Sequence, residues 1–369
     1  MLLRHEVVAA TALPLGFRLA GCTPLNGLER GPYLEAWVAQ GRAGEMDYLA
    51  RRVPERIDPR LAHPWARSII VLTVPYRPAP PPSGDWRASL RGRVAAYAAG
   101  RDYHHEVTKG LRQLAHRLRM IVPGVRFRRY VDTGPLLERE WAVRAGLGWI
   151  GKNTLLLARD AGSTFFLAEL LTDADVEPAS PRPDHCGTCT RCLTACPTGA
   201  LDPDGYTMDP RLCLSYLTIE HRSAIPRTLR PALDNWIFGC DLCQDVCPWN
   251  QDSDDPEAAE ILAPPLLPIL ALDDTAFRAR FGKTAITRTK RRGLLRNVAV
   301  ALGNSNNRDA LPALIAAMED SEPLIRSHAA WALGRLGGST ARNALDRARR
   351  REPDTESALE IERALEELA

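Results

Sequence analysis

The chain has 369 residues, with 48 Lys and Arg against 45 Asp and Glu, for a net charge of +3; so small an excess points to no particular class of partner. Apolar residues make up 45% and charged residues 25%, ordinary values for a globular chain of two or three domains. The sequence has no apolar run of the ~18 residues or more that a membrane-spanning helix needs.

Near the N-terminus, Leu19-Ala20-Gly21-Cys22 has the form of a bacterial lipoprotein cleavage site. Glu6 stands where that signal should be basic, and Pro14 and Arg18 break its apolar core. An early helix is the better reading, followed by a strand through Gly16 to Gly21, with Cys22 as a buried or loop thiol. Ser68 to Val74 is a continuous apolar run closed by Pro75, as expected of a buried strand. Pro78 to Pro82 is a Pro-rich surface connection. Helical spacing follows from Tyr103 to about Leu118, then a strand from Val125 to Val131. Gly134-Pro135 opens a helix running to Ala145, with Gly146 as its stop. Ser163 to Leu171 is a further strand. This alternation predicts an α/β domain over residues 1–176.

Glu177 to Pro183 breaks the pattern, and Gln251 to Pro256 forms a polar, acidic linker. Between them lie eight of the nine cysteines. Disulfide scaffolds spread their cysteines, whereas short gaps read as metal ligation. Cys186, Cys189, Cys192 and Cys196-Pro197 follow the C-x2-C-x2-C-x3-C-P run of bacterial ferredoxins. Cys240, Cys243 and Cys247-Pro248 form a second run lacking one cysteine, which Cys213 supplies. Eight thiolates suffice for two [4Fe–4S] clusters. Because the last Cys of each run ligates the other cluster, the expected sets are Cys186, Cys189, Cys192 and Cys247, then Cys196, Cys213, Cys240 and Cys243. Two zinc sites are the competing reading, which the x2, x2, x3 run with Pro disfavours. The C-terminal part repeats itself: Val298 to Gly303 recurs as Ala329 to Gly334, with Arg363-Ala364-Leu365 as a degenerate third copy, a HEAT-like period.

Taken together, Gly100 to His104, Val131 to Pro135, Gly148 to Thr154, the two cysteine runs ending in Asp245 to Asn250, and the C-terminal repeats resemble the epoxyqueuosine reductases over the whole length. The resemblance implies reduction of epoxyqueuosine to queuosine at the wobble position of tRNA, with cobalamin fed by two [4Fe–4S] clusters in a cytoplasmic enzyme. The expected architecture is α+β and multidomain: an α/β cobalamin-binding catalytic domain at 1–176, a ferredoxin-like domain at 177–255, and HEAT-like helical repeats at 256–369 for tRNA docking. Asp102-Tyr103-His104 is the nearest approach to a cobalt-ligand motif, but Val107 stands where its Gly belongs, so no protein His is expected on cobalt.

Epoxide opening needs a proton at the departing oxygen, worth roughly 10² to 10⁴ in rate. The resemblance gives that role to Asp132, which by position alone reads as a turn residue before Gly134-Pro135. Arg56, Lys152, Asn153 and Ser215 are expected cofactor contacts; otherwise Arg56 is a surface charge, and Lys152 and Asn153 cap the next element. Tyr103 and His104 are open between catalysis and packing. Arg278, Arg280, Lys283, Arg288, Lys290, Arg291, Arg292, Arg296 and Arg308 form a basic strip uninterrupted by Asp or Glu from Thr275 to Arg308, suited to phosphates. A small-molecule corrinoid reductase, similar to reductive dehalogenases, is the alternative, and a pure electron carrier is a third reading. The repeats and strip favour tRNA, with a low-potential electron donor as second partner and the chain as a monomer.

Overall fold

The computed structural model describes residues 2–28, 30–76, 84–250 and 261–368. The Pro-rich connection and the acidic linker lie outside them. Two compact units result, each gathering distant stretches of chain. The first comprises Met1–Pro78, Asp102–Pro210 and Leu242–Ser253, and the second Ala79–Arg101, Arg211–Asp241 and Asp254–Ala369.

The first unit is built on a four-stranded sheet of β1 (Leu19–Pro24), β2 (Ser68–Pro75), β3 (Phe127–Tyr130) and β4 (Phe165–Thr172), in the order β1-β2-β4-β3. Helices and strands alternate as expected, and every pairing in this sheet is antiparallel. The unbroken apolar run of β2 follows from burial on both faces. Ile70 and Leu72 share a core with Val8 of α1 (His5–Ala12) and Leu111, Leu114 and Leu118 of α2 (Tyr103–Ile121) on one side. Ile69 and Val71 meet Trp141 and Ala142 of α3 (Glu138–Arg144) on the other. Burying each such Leu or Ile is worth roughly 1.5–3 kcal/mol. Cys22 sits in β1 opposite Ile70 with no exposure, as the buried-thiol reading has it.

The helix expected from Gly134-Pro135 starts later, at Glu138. The Glu138 side chain instead turns back to accept the Asp132 N–H, at 2.8 Å, and residues 131–136 are bends. In the same unit, the cysteine segment carries α4 (Arg191–Ala195) and α6 (Leu242–Asp245), which lie against each other and draw the two runs together.

The second unit holds α5 (Leu214–Ile219) and a stack of α7 (Lys290–Asn304), α8 (Pro323–Leu336) and α9 (Thr355–Glu366). The glycines closing the sequence repeat are its contact points. A Cβ at Gly303 would stand 2.9 Å from the Ala332 backbone, and one at Gly334 would stand 3.1 Å from that of Ala364. The 31-residue spacing is therefore the spacing of touching helices.

Candidate active site and cluster ligands

Cys186, Cys189, Cys192 and Cys247 line one cavity of about 330 Å³ in the first unit, together with Lys152, Asn153, His185 and Trp249. This is the first ligand set expected from spacing. All nine cysteines are free thiols. Burial pushes Cys192 and Cys247 up, and the charge of neighbouring sulfurs adds to it. Sulfurs that oppose one another's ionisation are sites that bound iron would reverse, so the donor set fits a cluster. The Lys152 ammonium donates to the carbonyls of Gly187 and Cys189, at 2.7 and 3.1 Å, which ties the loop. Asn153 is buried; its amide donates to the Cys243 carbonyl at 3.4 Å, and its Oδ1 accepts from Leu155.

Of the second set, Cys196 and Cys243 belong to the first unit, and Cys213 and Cys240 to the second. Burial raises Cys196, but hydrogen bonds from Thr198, Ala200 and Leu201 outweigh it and leave the thiol below its ordinary value. Such N–H donors suit a ligated thiolate.

A second cavity, of about 190 Å³, opens at Asp132. Leu155, Leu156, Phe165 and Phe166 give it an apolar wall. Asp132 leaves the end of β3 with φ +58°, a left-handed conformation that Asp tolerates better than most residues. Its Oδ2 accepts the Tyr103 hydroxyl at 2.9 Å and lies 3.5 Å from His104 Nε2. Asp102 caps α2 through the His104 N–H and also holds His104 Nδ1 at 2.6 Å. The Asp132 contact, with Asp102 behind it, holds His104 above its ordinary value against the effect of burial. Tyr103 stacks on Phe166 at 4.0 Å and 8°, and on His104 at 4.2 Å. Sequence left the roles of Tyr103 and His104 open; the structure puts both against the Asp132 carboxylate.

Ser163 lines this cavity and also anchors the cysteine segment. Asn250 Oδ1 accepts the Ser163 N–H at 2.6 Å, and Gln244 Nε2 donates to the Ser163 carbonyl at 3.1 Å and to Tyr76 at 3.2 Å. A Cβ at Gly162 would meet Asn250 Oδ1 at 2.1 Å, so only glycine permits the approach. Gln244, Asn250 and Ser163 were not singled out from sequence; the polar residues beside Cys243 and Cys247 were the available signal.

Two further carboxyls went unnoticed. Glu169 faces inward from β4, fully buried, with no hydrogen-bond donor at either oxygen. Glu138 meets it side chain to side chain. Burial, then the Asp132 charge, pushes Glu138 up to about 7, and burial with the Glu138 charge pushes Glu169 well above its ordinary value. The signal was one acid in the apolar run from Phe165 to Thr172.

Arg56 braces the Asp132 loop, donating to the Gly134 and Tyr48 carbonyls at 3.3 and 3.1 Å, while its buried Nε has no partner. Ser215 lies in the second unit, half-buried on α5, two residues beyond Cys213. The basic strip requires a correction. Arg296 is fully buried on α7, donating to the Leu217, His221 and Ser223 carbonyls and to Asn297, so it presents no charge to a partner. Arg291 is half-buried and pairs with Asp320, and Arg288 pairs with Glu220. Arg278, Arg280, Lys283, Lys290 and Arg308 remain exposed, as does Arg292, which pairs with Glu322 at 3.6 Å.

A paired-run cysteine segment stapled to an acid-bearing cleft defines an iron–sulfur oxidoreductase. Residues 185–250 match the 4Fe-4S double cluster binding domain, residues 56–133 match the epoxyqueuosine reductase QueG, DUF1730 model, and residues 284–366 match HEAT repeats. The epoxyqueuosine reductase of Cellulophaga algicola is 40% identical over 79% of this chain and 96% of its own length. That of Escherichia coli K12 is 39% identical over 87% of this chain and 86% of its own. A crystal structure of epoxyqueuosine reductase with an epoxyqueuosine-modified tRNA-Tyr stem loop superposes with a TM-score of 0.91 at 33% identity, covering 98% of both chains. The Bacillus subtilis enzyme, described with an aspartate-bearing catalytic loop swung out of its active site, gives 0.89 at 32% identity, covering 99% of this chain and 98% of its own. The chain belongs to the epoxyqueuosine reductase family. It is an oxidoreductase that reduces epoxyqueuosine to queuosine in tRNA, with two [4Fe–4S] clusters and cobalamin as its cofactors. No helix among the described residues is long and apolar enough to cross a membrane.

Proposed function

We propose that Asp132 is the proton donor of this reduction and that the cleft around it receives the epoxide. The observation that carries the reading is one carboxylate facing both a tyrosine hydroxyl and an imidazole at the edge of an apolar wall. That wall fits a corrin face, and the unpartnered Arg56 Nε is a donor left for a cofactor amide or phosphate. Arg56, Lys152, Asn153 and Ser215 are the proposed contacts. When bound, the clusters and cobalamin supply the two electrons delivered to the epoxide carbon.

The chain's own residues manage protons and position. Conversion of the epoxide to an alkene with loss of water consumes two electrons and two protons. Asp132 gives a proton to the departing oxygen, and His104, 3.5 Å away and held by Asp102, returns one to it. Tyr103 fixes the carboxylate through its hydroxyl. The catalytic aspartate loop described in the Bacillus subtilis relative supports the same role for the loop of Asp132.

The first cluster takes Cys186, Cys189, Cys192 and Cys247; the second takes Cys196, Cys213, Cys240 and Cys243. The functional division is catalytic at 1–176, cluster-bearing at 177–255 and tRNA-docking at 256–369. Exposed bases of the strip contact phosphates, while the modified base of a single-stranded loop enters the cleft. The enzyme works in the cytoplasm as a monomer, fed by a low-potential donor. Asp132→Ala should keep iron, sulfide and cobalamin content and lose ~10² to 10⁴ in turnover. Near-wild-type turnover would remove Asp132 from the mechanism.

A further inference from the structure

Beside Asp132 the first unit holds two carboxyls that the chemistry above does not use: Glu138, half-buried and lining the cleft, and Glu169, fully buried. Glu169 is on the central part of β4, opposite Val71 of β2 and Tyr130 of β3, with no exposure. Neither of its oxygens meets an N–H or O–H donor. The polar group it does meet is another carboxyl, that of Glu138 at the start of α3. Two ionised carboxylates in contact where one of them is fully buried repel each other, and no donor here offsets that cost. A proton between them removes that cost, because a carboxylic acid donates one hydrogen bond to a carboxylate. The other charged groups near the pair are Asp132 on the loop after β3, Arg139 on α3, and Arg56, which faces both Glu138 and Asp132. Tyr130 from the same strand is occupied with His63.

The pair is wired to the proposed acid by one bond. Glu138 Oε1 accepts the backbone N–H of Asp132 at 2.8 Å. That bond holds a non-glycine residue at φ +58°, a conformation that costs ~1 kcal/mol or more and needs a fixed partner. We infer that Glu138 and Glu169 are positioning residues, an acid–carboxylate pair sharing one proton, whose acceptor oxygen sets the Asp132 loop over the cleft. Glu169 supplies the hydrogen that keeps Glu138 in place, and Glu138 supplies the acceptor that keeps Asp132 in place. The elevated values of both carboxyls agree with this arrangement. The inference rests on Asp132 as proton donor, and its tests separate the two.

The holoenzyme is assayed on an epoxyqueuosine stem loop, with iron, sulfide and cobalamin content measured for every variant. Glu138→Ala should lower kcat about 100-fold, the scale of misplacing a reacting group by about an ångström, with KM changed less than about threefold. Glu138→Gln, which still offers an oxygen to the Asp132 N–H, should restore most of that loss. Glu169→Gln keeps a donor toward Glu138 and should leave the neutral limb of the kcat–pH profile where it is. Glu169→Leu removes the donor and should move that limb to higher pH. Independently of turnover, the infrared spectrum above neutral pH should show the carbonyl band of a protonated carboxylic acid, absent in both Glu169 variants. A band unchanged by Glu169→Gln, or full kcat in Glu138→Ala, overturns the inference. Full activity in Asp132→Asn with the band still assigned to Glu169 overturns the proton-donor reading instead.

Discussion

In the repeat unit, the buried side chains of Arg230, Arg296 and His328 are matched. Arg230 makes a two-pronged contact with Glu360, at 3.0 and 3.2 Å, and Arg296 donates to three carbonyls and to Asn297. His328, held neutral by burial and by Arg230 and Arg296, donates from Nδ1 to Leu324 and accepts the Ile225 N–H. In the unit that carries the cleft, Glu169 lacks a donor, Arg56 keeps a buried N–H without a partner, four thiols crowd one cavity, and Asp132 is held in a left-handed turn. Polar groups with all partners satisfied hold helices together and have nothing left to give. Those left short mark where a cofactor, a proton or a substrate enters.

The contrast breaks most sharply at the cluster. Cys192→Ala should cost a cluster's worth of iron and sulfide per chain and abolish turnover, since it removes one of the four thiols that line a single cavity and are the proposed ligands of one cluster. Retained turnover with half the iron would show that the first ligand set lies off the electron path. In the repeat unit the largest effect should instead be on stability. Glu360→Ala leaves Arg230 buried and unpaired, a loss of about 3–5 kcal/mol that a denaturant series would read, with cluster absorbance unaffected.

A smaller effect concerns pH. Glu138 and Glu169 are both raised in the folded chain from the ordinary 4.5. The native state therefore binds more protons than the unfolded chain between about 4.5 and 7, so the pair's contribution falls as pH rises through that window. The double variant Glu138→Gln, Glu169→Gln should lose that slope, so wild type minus variant should decline from acid to neutral pH. A flat difference would mean that the two carboxyls do not hold protons in the fold.

What could be read in the sequence divides along the same line. Cysteine spacing fixed the grouping of Cys186, Cys189, Cys192 and Cys247 because ligand geometry is written in short local gaps. The repeat period gave the helix contacts at Gly303 and Gly334 because each repeat touches its neighbour at a constant offset. Antiparallel pairing was not legible, since an apolar run such as Ser68 to Val74 reads alike in either sheet type. The Glu138–Glu169 pair joins a helix start and a strand 31 residues apart, and only tertiary packing makes one acid the partner of the other. Arg296 shows the reverse error: a charge run says nothing of which member a helix turns inward.

The smallest expected effect tests what remains of the basic strip. With Arg296 buried, and Arg288, Arg291 and Arg292 paired to Glu220, Asp320 and Glu322, the surface charge left for phosphates lies at Arg278, Arg280, Lys283, Lys290 and Arg308. Each phosphate contact on single-stranded RNA contributes about 0.7 to the slope of log affinity against log salt. Replacing Arg278, Arg280 and Lys283 by Ala should reduce that slope for an epoxyqueuosine stem loop by ~1 to 2 and weaken binding severalfold at moderate salt. Turnover at saturating RNA should hold, because none of the three belongs to the cleft. Replacing Arg296 should leave the slope alone and lower stability, as befits a guanidinium whose donors are all taken by the protein. Equal slopes in the triple variant and the parent would place the docking charges elsewhere on the chain and leave these helices with a structural role only.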